Sequence, residues 1–146
     1  MTTEPTQRQG AGPAPQAWVH AALLAGVAYF VIGRVFALPT SHVHGWRLAA
    51  WAVSGGVYSA HIAYEHFKLR DSVRLTALRV ALGVAIGAFG LAVAGMMHSR
   101  STTSAVRPAW LLALVLWPAL TALPAFLGAL VACAVLARLP RSANRE

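Results

Sequence analysis

Four long apolar stretches, separated by short polar segments, account for most of this chain. They run over about 17–38, 45–67, 75–97 and 109–137. A helix needs about 20 apolar residues to cross the hydrocarbon layer of a bilayer, and each stretch reaches that length. Ala, Leu and Gly dominate, and the period-two alternation of strands is absent. Pro39 ends the first stretch, and the overlong fourth contains Pro118 and Pro124, which predicts a kink or tilt. The connections 39–44, 68–74 and 98–108 are short, so neighbouring helices should run antiparallel. The expected fold is all-α: a polytopic membrane protein with a four-helix antiparallel transmembrane bundle over 17–138. A polar tail rich in Pro, Gly and Gln (1–16) and a short basic tail (139–146) flank it, and the first is expected to be disordered.

Composition strengthens the membrane reading. Of 146 residues, 58% are hydrophobic and only 11% charged, less than half the charged share of a typical soluble domain. Twelve Lys and Arg stand against four Asp and Glu, for a formal net charge of +8. The charges gather at the ends of the apolar stretches rather than along one face, so lipid topology explains them and nucleic acid does not. Arg8, Lys68, Arg70, Arg74, Arg79, Arg138, Arg141 and Arg145 fall on one side of the expected bundle, and Arg34, Arg47, Arg100 and Arg107 on the other. That imbalance predicts both termini in the cytoplasm. The Ala- and Gly-rich composition fits a GC-rich bacterial genome, hence a bacterial inner membrane. The single cysteine, Cys133, lies in an apolar stretch and reads as a small buried hydrophobe.

The third stretch carries Gly83 and Gly87 four apart, and the second carries Ala52, Gly56 and Ala60 at the same spacing. Small residues so placed let backbones approach, which predicts tight packing of the second helix on the third. Trp18, Trp46 and Trp110 begin three stretches, as in an interfacial aromatic belt. Trp51 and Trp117 lie deeper and read as packing residues.

Against this apolar background one row of polar groups stands out. Ser54, Tyr58, His61, Glu65 and Lys68 follow one another at steps of four and three, which keeps them on one helix face. Ionisable groups facing lipid cost about 2.5 kcal/mol or more near the bilayer centre. The stripe from Ser54 to Glu65 should therefore face the other helices. Glu65 has the spacing to pair with His61, with Lys68 or with a cation of the following loop. Tyr29, near the middle of the first helix, needs a hydroxyl partner, and the surroundings of Tyr58 are the candidate. Ser54, Tyr58, His61, Glu65 and Tyr29 form the candidate intramembrane site, suited to binding a ligand or relaying protons.

The six histidines sort into two groups by end: His20, His61 and His66, and His42, His44 and His98. Each could supply nitrogen ligands to a metal, the second with Met96 and Met97 nearby. Haem would need two histidines facing each other from different helices. Neither group has a diagnostic spacing. Arg34 lies within the first stretch with no acidic residue at its end of the bundle. It should reach for the interface, an anion or a partner subunit.

No phosphate loop, nucleophile elbow or paired carboxylate is present, which argues against an enzyme. The readings that remain are a transporter-like or ligand-binding membrane protein, an accessory subunit of a larger membrane complex, and a metal or haem protein. The partners expected are the bilayer and another membrane protein or a second copy.

Overall fold

The structure, a computed structural model, describes residues 16–69, 72–102 and 108–138. Nearly all of both expected tails, together with Arg70, Asp71 and Arg107, lies outside the described residues. Four helices follow in order: α1 Ala17–Val35, α2 Val43–Tyr64, α3 Val73–Thr102 and α4 Pro108–Arg138. A wider π-type turn, Glu65–Leu69, extends α2 without a break. No strand occurs among the described residues.

α1, Val73–Arg100 of α3 and Leu111–Arg138 of α4 are long and apolar enough to cross a membrane, with mean hydropathies of 1.6, 2.2 and 2.3. α2 is not among them, because His44, Arg47, His61 and its serines dilute it. At 1.5 Å per residue, the 30 residues of α3 extend about 45 Å, more than the hydrocarbon thickness. Ser72 starts α3: its hydroxyl accepts the Leu75 N–H at 3.4 Å and its carbonyl the Thr76 N–H at 3.0 Å. At the other reversal, His42 takes a left-handed conformation, φ 53°, just before α2. Phe36 and Trp46 brace that turn edge-on, with ring centroids 5.7 Å apart.

α3 is the central helix, flanked by α1 and α4. On the α1 side the two backbones nearly touch. A Cβ placed on Gly87 would lie 2.6 Å from Tyr29 Cβ and 2.9 Å from the Gly26 carbonyl oxygen. One on Gly83 would lie 3.3 Å from the Ala22 carbonyl oxygen. Gly33 meets Leu91 in the same way, and Gly90 meets Phe30. The partners rise together along both helices, so α1 and α3 run parallel. On the other side Ala77 and Val80, early in α3, share a buried core with Ala129 and Cys133, late in α4. Those two helices are therefore antiparallel. Ile62, from the last turn of α2, completes this core.

The close contact expected between the second and third helices is not formed. Ala52 and Ala60 are exposed, and no atom lies within 4 Å of where a Cβ on Gly55 or Gly56 would stand. The reason is competition for one surface. The Gly83–Gly87 face of α3 is already covered by α1, whose own Gly26 allows the closer fit. α2 meets α3 in its last turns, where His61 lies against Gly83. Its first half leans away, and Trp51 is 81% exposed. Trp117 is exposed too, so neither deeper tryptophan is the packing residue expected.

Two substitutions separate these surfaces. Gly87→Ala should destabilise the protein by about 1–3 kcal/mol through overpacking. Gly56→Ala should be neutral or stabilise by up to about 1 kcal/mol through helix propensity. Thermal unfolding in detergent measures both, and equal effects would contradict the packing described.

Candidate functional site

The polar stripe of α2 divides into two parts with different surroundings. Its lower part is a charged cluster. Glu65 is wholly buried, and the Arg79 guanidinium of α3 donates to its Oε2 at 3.1 Å. His61, one turn earlier and also buried, holds Nε2 3.8 Å from Glu65 Oε1. The Arg79 guanidinium carbon also lies 5.1 Å from the centre of the Trp18 ring of α1, a cation–π contact. One carboxylate thus links three helices at one end of the bundle. Neither ring nitrogen of His61 has a hydrogen-bond partner among the described residues, and nor does the buried Thr76 hydroxyl. The imidazole is held instead by packing against Gly83, where any side chain would displace it.

The upper part of the stripe opens onto a cavity of about 690 Å³. It exists because the first half of α2 leans away from α3 and α4. All four helices contribute: Tyr29 and Ile32 from α1, Trp51 from α2, Leu91 from α3, Trp117 and Pro124 from α4. Its walls are largely apolar, with Ser54, Tyr58 and Thr121 as polar exceptions and Tyr29 also in the lining. The Tyr58 hydroxyl donates to the Ala125 carbonyl of α4. Thr121 turns its hydroxyl back onto the carbonyls of Trp117 and Pro118, 3.0 Å from each. The Tyr29 hydroxyl is buried without a partner among the described residues. Pro124, inside α4, supplies no N–H to the Leu120 carbonyl one turn earlier. A mostly apolar hollow of this size with a few directed polar groups is the usual form of a small-molecule site, about 300–1,000 Å³.

The structure therefore brings Ser54, Tyr58 and Tyr29 to one cavity, and His61 and Glu65 to the ion-paired end. Tyr29 and Tyr58 share the cavity wall, yet Tyr58 bonds to α4 and Tyr29 to nothing among the described residues. The histidine trios are not gathered. No group of three His, Cys, Asp or Glu side chains that could hold a metal occurs among the described residues. His20 is exposed, with its ring Nδ1 2.9 Å from the Gln16 carbonyl oxygen. His66 stacks edge-on with Phe67, turned away from His61 by the helix. His42, His44 and His98 are each exposed at the opposite end. Arg34 is exposed on the last turn of α1.

Sequence reasoning missed Arg79 as the partner of Glu65 and counted it only toward orientation. A cation well inside the third apolar stretch, facing a chain with few carboxylates, was the available signal. The cavity had no such signal, since it follows from where α2 fails to touch its neighbours. Comparison with known protein families, curated proteins and solved structures finds no match for this chain.

Removing one member of the ion pair tests its weight. Arg79→Met leaves a buried carboxylate without that cation and should cost about 3 kcal/mol. Glu65→Gln should cost less, and the double variant should recover part of the Arg79→Met loss. Additive losses in unfolding experiments would mean that the two side chains do not interact. Tyr58→Phe, which removes only the bond to Ala125, should cost about 1 kcal/mol.

Proposed function

We propose that this chain is a small, non-enzymatic membrane protein that binds a predominantly apolar ligand between its four helices. The observation that carries this reading is the 690 Å³ cavity, an apolar hollow lined by all four helices and broken by Ser54, Tyr58 and Thr121. Arg79 engages the Glu65 carboxylate, which favours the cavity over the His61–Glu65 pair as the working site.

The same reading includes four crossings of a bacterial inner membrane. Its support is the parallel run of α1 and α3. If both cross, the chain must return between them, and α2 with its π-type turn is the segment that does so. The dilute hydropathy of α2 suits a helix whose polar face lines a cavity instead of facing lipid. The larger basic count at the Arg79 end supports both termini in the cytoplasm.

Gly55→Leu provides the test. It should leave thermal stability of the ligand-free protein largely unchanged, because a side chain at this lining position meets no neighbouring helix. It should weaken retention of the co-purifying ligand, read by mass spectrometry of material extracted from mild-detergent preparations. Wild-type protein that carries no small molecule above detergent background would count against the proposal.

A further inference from the structure

The two ends of the bundle differ in their carboxylates. The sequence has four acidic residues, Glu4, Glu65, Asp71 and Glu146. Glu65 lies at the Arg79 end, and Asp71 follows it six residues later in the sequence. No acidic residue occurs between Glu4 and Glu65 or between Asp71 and Glu146. The opposite end, where α1 stops and α2 starts, therefore has Arg34, Arg47 and Arg100 and no carboxylate along the connecting chain. The ion pairs among the described residues belong to Glu65 with His61 and Arg79, and neither Arg34 nor Arg47 takes part in one.

Arg47 shares a helix face with the α2 residues that line the cavity. Ala50, Trp51, Ser54 and Tyr58 line it from α2. Arg47 precedes them by three, four, seven and eleven residues, the spacings of a single helix face. It is exposed, one turn beyond the Ala50–Trp51 rim. An apolar hollow with a solvated guanidinium one turn beyond its rim matches an amphiphile with a negative head. Arginine meets phosphate with two parallel charge-assisted hydrogen bonds.

We propose that the ligand of this cavity is an anionic phospholipid. Its phosphate is met by Arg47 at the open end, and an acyl chain lies along the apolar wall toward Tyr29 and Tyr58. This rests on the cavity being a ligand site and adds the class of ligand. Arg34 and Arg100 contribute positive potential at the same end. The role differs from attraction to bulk headgroups, which would need no hollow and would not saturate at one lipid.

Native mass spectrometry of the full chain in detergent tests it, with phosphatidylglycerol, phosphatidylcholine and diacylglycerol of identical chains as probes, and glycerol 3-phosphate as a head without chains. One phosphatidylglycerol should be retained per protein, about tenfold or more above diacylglycerol, the least that Arg47 bonded to the phosphate should contribute. Glycerol 3-phosphate alone should not be retained. Arg47→Gln should reduce phosphatidylglycerol to the diacylglycerol level, and Arg47→Lys should restore part of the difference. Gly55→Leu, which projects a side chain into open space, should weaken all three lipids together. If Arg47→Gln binds phosphatidylglycerol as the wild type does while Gly55→Leu still weakens every lipid, the anionic head is refuted and the cavity reading stands. If neither variant alters retention, both are refuted. Retention of glycerol 3-phosphate by itself would also overturn the lipid assignment.

Discussion

Gly26, Gly83 and Gly87 allow α1 and α3 to approach until backbone meets backbone, and this contact organises the rest of the bundle. Within a bilayer no water is released when apolar helices meet, so association depends on close van der Waals fit. A methyl group at Gly87 would stand 2.6 Å from Tyr29 Cβ, far inside any tolerable separation. Once α1 covers that face of α3, α4 takes the opposite side. α2 is left with what remains, the seam near His61 and Ile62. The cavity is the gap left when one helix finds the best surface already occupied.

The ion pair at the other end works by a different principle. Lipid gives a lone carboxylate no solvation, and removal from water costs several kcal/mol even after relaxation. Glu65 tolerates full burial because Arg79 reaches it, and Arg79 is itself capped by the Trp18 ring. This brings the N-terminal turn of α1, the end of α2 and the start of α3 together. The arrangement adds orientation as much as stability: it fixes which face of α2 turns inward, and so which side chains face the cavity above.

The helical elements were legible because their signal is local. Twenty apolar residues in a row demand a helix whatever lies next to them, and Pro39 or the polar 98–108 segment marks where a stretch should stop. α3 nevertheless continues through Ser99 and Arg100 to Thr102, since polar residues at an interface do not end a helix by themselves. The inward face of α2 was legible as well, because a row such as Tyr58, His61 and Glu65 has an energetic reason to avoid lipid. Pairing between helices was harder. Gly56 and Gly83 look equally suited to close packing, and only the competition with Gly26 decides between them. Arg79 failed for a related reason: which cation meets Glu65 depends on how two helices are rotated against each other, and spacing along one chain does not record that.

α2 is fastened at its start by the Phe36–Trp46 contact and at its end by His61, Ile62 and Glu65. Between those points lies Ser54-Gly55-Gly56, the kind of sequence at which helices bend, with empty space beside both glycines. The middle of α2 therefore forms the thinnest part of the enclosure: two residues without side chains stand between the hollow and the surroundings. Any side chain larger than hydrogen at Gly55 would narrow the hollow without disturbing the joint between α1 and α3.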